Sequence, residues 1–169
     1  NRSEAKFETS IMAGLNWLGI ACDEGPNEGG DYGPYRQSER ITQGIYKTYA
    51  DHLLEKKLAY YCFCTPEELD QERKVAQEKG IPYVYSRKAL ALTDEEIKQK
   101  LAATHPYTIR FKMPDNQKLT FKDLIRGEIE FDLGLISDFV IMKSDGSPSY
   151  NFAVVVDDML MKISHVIRG

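Results

Sequence analysis

Apolar positions recur at helical spacing in the first third of the chain. Phe7, Ile11, Leu15 and Leu18 fall four, four and three residues apart, which predicts a helix over residues 3–18 with one stripe turned to a core. Ser3 stands where a cap is needed, and Gly19 where the helix should stop. Ile41, Ile45, Tyr49, His52 and Leu53 share a face of a second helix over residues 36–57, weakened a little by Gly44. Between these helices, residues 23–35 hold four glycines and two prolines, so neither helix nor strand can propagate there. A loop of that length in a compact domain is either functional or packed on itself.

From Leu58 the pattern is mixed. Leu58 to Cys64 is short and aromatic and predicts a strand. Thr65-Pro66-Glu67-Glu68 then opens a helix that ends at Gly80, with Thr65 and Glu68 as a capping box. Thr93-Asp94-Glu95-Glu96 opens another, through about Ala103, with Ile97 and Leu101 inward. After Tyr107 the alternation becomes that of strands: residues 107–112, 119–121, 129–131 and 139–142. Asp145-Gly146 marks a turn. Val154 to Val156 are apolar enough to be buried, and Ile163 to Ile167 reads as a buried strand. Helices followed by strands indicate an α/β or α+β fold.

The 169 residues include 42% hydrophobic and 28% charged side chains, as in an ordinary soluble domain, with room for one full core or two small lobes. No run reaches the roughly 20 apolar residues that span a bilayer, and no basic-then-apolar leader is visible. The chain starts at Asn1 rather than Met, which suggests an excerpt of a longer protein. The net charge of −4 argues against a general nucleic-acid coat, not against a local basic face. Between Pro106 and Arg126 five cations (Arg110, Lys112, Lys118, Lys122, Arg126) stand against Asp115 and Asp123, which suits either a phosphate-facing surface or a solvated strand.

Candidate chemistry is sparse. Cys62-Phe63-Cys64 is half of a four-ligand zinc site, but the segment after Gly80 has no Cys or His to complete it, so buried free thiols are expected and zinc is not. An odd count of three cysteines suits a reducing compartment. Asp157-Asp158 fits a metal or acid–base pair, or the cap of a helix starting at Met159. His165, in an apolar stretch, reads as a structural histidine. Arg168 ends the Ile163–Ile167 strand, where a guanidinium would offer a two-pronged grip on a carboxylate or phosphate, or simply face solvent.

Three long blocks carry a resemblance. They are residues 144–169 (SDGSPSYNFAVVVDDMLMKISHVIRG), residues 23–26 with 33–40 (DEGP, GPYRQSER) and residues 59–69 (AYYCFCTPEEL). Together they span the chain, and they resemble the bacterial-type glutamyl-tRNA synthetases, a class I aminoacyl-tRNA synthetase family. The resemblance implies an α/β Rossmann-like catalytic domain with an inserted α+β domain that holds the tRNA acceptor end. Residues 1–57 would form the first part of the catalytic fold, 58–143 the insertion, and 144–169 the return. It also implies ATP with Mg²⁺, L-glutamate and tRNA(Glu) as partners, and a monomer in the cytoplasm. Tyr150 and Arg168 match pocket residues that hold glutamate, and Val154 falls where some members place a pocket asparagine. In the insertion, Arg110 and Lys112 are the candidates for tRNA contact. The family's HIGH and KMSKS motifs would lie before Asn1 and beyond Gly169, so no catalytic residue is assigned within the chain and the piece alone is expected to be inactive. A paralogue that glutamylates a modified base of another tRNA, and a tRNA-binding module without catalysis, share enough of these features to stand as alternatives.

Overall fold

The computed structural model describes residues 4–167; Ser3, the expected cap, and Arg168 lie outside them. Helix α1 covers Ala5–Trp17, follows Glu4 without a side-chain cap, and ends ahead of Gly19, whose φ of +71° breaks the helical path. Its expected burial is corrected: no residue of α1 is buried, and Ile11 is 63% exposed. An apolar stripe reports a helix, but only a neighbouring element turns it into core. Among the described residues the ties to α1 include Glu8, which accepts two bonds from Arg36 at 2.6 and 2.9 Å.

The expected single helix over 36–57 is two. Helix α2 (Gln37–Thr42) and α3 (Ile45–Glu55) are separated at Gly44, with φ +71°. Gly44 lacks the Cβ that makes this left-handed conformation costly, so the chain bends there instead of continuing. Its carbonyl still accepts the Thr48 amide at 3.0 Å and so starts α3.

A three-stranded antiparallel sheet follows, in the order β1 (Ala59–Cys62), β2 (Thr108–Phe111), β5 (Val140–Met142). Tyr60 stands opposite Arg110, and Ile109 opposite Met142. Between β1 and β2 run α4 (Pro66–Glu78) and α5 (Asp94–Ala102), both opened by complete capping boxes. Between β2 and β5 a separate hairpin pairs β3 (Lys118–Asp123) with β4 (Gly127–Asp132), and Phe121 stacks on Phe131 at 6.0 Å.

The two faces of the sheet are both covered, as the alternation along β1 requires. Ala59 and Ile109 join Tyr46 and Ala50 of α3 and Ile141 and Met142 of β5 in the larger core cluster. Helix α6 (Tyr150–Leu160) adds Phe152, Ala153 and Val156 to it. This cluster runs across both expected boundaries, at 57 and at 143. Tyr60 and Cys62 face the other way, into a second cluster with Tyr85 and Ala89.

Two further expectations are corrected at the C-terminal side. Val154 to Val156, expected to be buried, lie within α6 with Val156 buried and Val155 64% exposed: Ser149 caps the helix, accepting from the Phe152 amide, and the buried positions 152, 153 and 156 keep helical spacing. Three consecutive valines suit a strand by local preference, but the cap and the core decide. Asp157 is therefore inside a helix rather than ahead of one. Residues 163–167 form no strand, and Ile163, Val166 and Ile167 are exposed, as is His165, which meets neighbouring Ser164 at 3.0 Å. Among the described residues no helix is long and apolar enough to cross a membrane.

Candidate functional site

The first candidate surface is one face of α6. Tyr150 opens the helix and is 69% exposed, and Val154 stands half-buried one turn on. A spacing of four places the two side chains on the same face. Seven residues after Tyr150 the same face presents Asp157, which is not solvated freely. It accepts from Arg40 at 3.1 Å and from the Tyr46 hydroxyl at 2.9 and 3.0 Å. Arg40 is 2% exposed, and its other N–H groups go to the carbonyls of Pro34 (2.6 Å) and Tyr32 (2.9 Å). Burial, then the Asp157 carboxylate, push the Tyr46 phenol well above its usual value, so it stays a hydrogen-bond donor.

The second is a cleft of about 500 Å³ between the end of β1, the start of α4, the end of α5 and β2. Its walls include Phe63, Tyr107, Lys100, Arg73, His105 and Arg110. Lys100 Nζ lies 5.6 Å from the centre of the Phe63 ring, and Phe63 meets Tyr107 at 6.0 Å. Aromatic faces beside cations form a surface suited to an unpaired nucleotide, which offers a flat base and a phosphate.

Arg110 and Lys112 are not equivalent there. Arg110, expected on the surface, is only 7% exposed and forms part of the cleft's wall. Its guanidinium covers the Tyr85 ring at 4.0 Å and donates to the Asp138 carbonyl at 2.7 Å, while Nε has no partner among the described residues. The correction has a structural reason: position 110 is central in β2, on the face that packs against Tyr85. Lys112 is exposed beyond the strand and is not among the cleft's lining residues. The cleft's other cations, Arg73 and Lys100, come from α4 and α5, outside the basic stretch. Helical charge patterning alone could not single them out, because the cleft forms only when α5 returns beside the end of β1.

Behind the cleft sits a buried polar knot that the sequence did not mark. Asp138 is 1% exposed and accepts from the Tyr60 hydroxyl (2.7 Å), Arg87 (2.8 Å) and the Met113 amide (2.9 Å). Cys62 and Cys64 both meet the Tyr85 hydroxyl, at 3.4 and 3.2 Å. Burial alone would raise the Cys62 thiol. Bonding to Tyr85 and the nearby Arg110 cation outweigh burial and hold the thiol below its ordinary value. Burial raises Cys64. This donor set does not fit zinc: the neighbours of the two thiols are a phenol and a guanidinium, and a buried cation beside them opposes a second one. Among the described residues no cluster of three or more His, Cys, Asp or Glu is placed to hold a metal.

Similarity to known proteins extends along the whole chain. The family model described as tRNA synthetases class I (E and Q), catalytic domain, matches residues 1–169. The glutamate–tRNA ligase of Leptospira biflexa serovar Patoc is 53% identical over 167 residues, which cover 99% of this chain and 32% of that protein. The glutamate–tRNA ligase of Bacillus licheniformis is 52% identical over 162 residues, covering 96% of this chain and 33% of that one. The crystal structure of a glutamate tRNA ligase from Elizabethkingia meningosepticum, in complex with its amino acid, superposes with a TM-score of 0.89 at 43% identity, over 96% of this chain and 33% of that one. The chain thus spans about a third of the length of these relatives.

Proposed function

Because this chain belongs to the class I tRNA synthetase (E and Q) catalytic-domain family, we propose that the protein containing it is a glutamate–tRNA ligase. It activates L-glutamate with ATP and transfers it to the 3′ end of tRNA(Glu). The relatives with 52% and 53% identity carry that name, which supports glutamate as the amino acid. The observation that carries the tRNA half is the cleft, where Phe63 and Tyr107 stand beside Lys100, Arg73 and the buried Arg110.

In this reading the exposed Tyr150 hydroxyl donates to the glutamate side chain, and Arg168 supplies the cationic fork that a second carboxylate requires. Val154 presents an aliphatic surface at the same wall and adds no hydrogen bond. Bound glutamate attacks the α-phosphorus of ATP through its α-carboxylate; pyrophosphate leaves with its Mg²⁺. The terminal ribose hydroxyl of the tRNA then attacks the mixed anhydride and AMP leaves. The cleft orients the unpaired end of the acceptor arm, with bases against Phe63 and Tyr107 and phosphates near Lys100 and Arg73. Lys112, outside the cleft, adds a sequence-independent phosphate contact. The enzyme works as a monomer in the cytoplasm.

The test is ATP–pyrophosphate exchange by the full-length protein with tRNA present. Exchange that depends on glutamate supports the proposal; none above the control without glutamate refutes it.

A further inference from the structure

We infer that Arg40, Tyr46 and Asp157 are positioning residues for the amino-acid site: they set the rotation of α6 about its own axis and thereby aim Tyr150. The inference rests on the glutamate-wall reading of Tyr150. Tyr150, Val154 and Asp157 stand at i, i+4 and i+7, so they form one face of the helix. Phe152, Ala153 and Val156 pack α6 into the core through a neighbouring face. Apolar packing of this kind tolerates a small roll of the helix, because it has no directional bonds. The Asp157 carboxylate supplies the directional constraint, with Tyr46 from α3 at 2.9 and 3.0 Å and Arg40 from α2 at 3.1 Å.

The same guanidinium holds the backbone of the 23–35 loop at Tyr32 and Pro34, at 2.9 and 2.6 Å. A buried cation with a carboxylate and two carbonyls in different directions leaves little room for α6 and the loop to shift independently. The wall carrying Tyr150 and the long loop therefore move as one body. This gives the loop's length a role that its glycines alone did not suggest.

The experiment is a kinetic cycle in the full-length protein with Tyr46→Phe, Tyr150→Phe and the double variant, read by pyrophosphate exchange. Tyr46→Phe removes one hydroxyl and keeps the ring, so the fold is retained. Asp157→Asn, which keeps the shape and loses the charge, is the second probe. Tyr150→Phe is expected to raise the KM for glutamate about tenfold, the scale of one lost substrate hydrogen bond. Tyr46→Phe and Asp157→Asn should each raise it about threefold with the KM for ATP unchanged, and Tyr46→Phe should add nothing on top of Tyr150→Phe. Additive effects in the double variant, or equal losses for glutamate and ATP, would overturn the positioning role while leaving the wall reading intact. No effect of Tyr150→Phe on the glutamate KM would overturn the wall reading and the inference with it.

Discussion

Asp138 is a buried carboxylate with three donors, Tyr60, Arg87 and the Met113 amide. Removing it leaves the buried Tyr60 phenol and the Met113 amide without this partner, while Arg87 keeps Asp115 and the Met113 carbonyl. Asp138→Ala is therefore expected to cost about 2–5 kcal/mol in denaturant unfolding, from about 1–3 kcal/mol for each of the two buried donors left without a partner. Tyr60 answers to the same site at high pH. Burial first, and then the Asp138 carboxylate, place its phenol well above the ordinary 10.0. In the unfolded chain the phenol ionises near its ordinary value, so stability present below about pH 10 is lost as pH rises toward the folded value. Unfolding measured at about pH 9 and about pH 11 should show a smaller loss in Tyr60→Phe than in the unaltered protein. Little of this knot was legible in the sequence. Asp138 sits between strand signals with no motif around it, and its partners lie 25 to 78 residues away.

Elements were more legible than contacts, and the reason is visible at their ends. Thr65 and Thr93 each sit three residues before a glutamate, and each forms the expected reciprocal cap. These signals are local, so a single sequence contains all of the interaction. Either Thr→Ala change should cost about 1 kcal/mol in unfolding free energy, and the two should add, since α4 and α5 are capped independently. Gly44 and Val154 show the limit. Gly44 is a mild flaw in a helix by propensity, yet its left-handed backbone makes it a boundary. Gly44→Ala is expected to destabilise by about 1 kcal/mol, measured the same way, because alanine must hold a φ of +71°. The valines of α6 follow a core that no local window reports. Helix α1 is the converse case: its stripe gave the helix correctly and its burial wrongly.

Across the molecule, the candidate site was half legible. The long blocks of residues identified the family, and with it the roles expected of Tyr150, Val154 and Arg168. The cationic cleft was not foreseen, because Arg73 of α4 and Lys100 of α5 come together beside Phe63 only in the folded chain. Charge inside the basic stretch is partly consumed: Lys118 pairs with Glu130 at 2.7 Å across the hairpin, and Arg110 is buried. Lys100→Gln in the full-length protein should weaken tRNA binding and lower the salt dependence by about one phosphate contact, whereas Lys118→Gln should change either quantity less. Phe63→Ala should weaken binding by about 1–3 kcal/mol with the salt slope unchanged, since stacking releases no counterions. Gel shift at two salt concentrations separates the two effects.

The most direct test of the central claim is the transfer of labelled glutamate by the full-length protein to a tRNA(Glu) transcript made without modified bases. Stable incorporation that requires ATP and an intact 3′-terminal ribose is the predicted result. No incorporation into the transcript, with glutamate attached only to tRNA that carries modified bases, would contradict it.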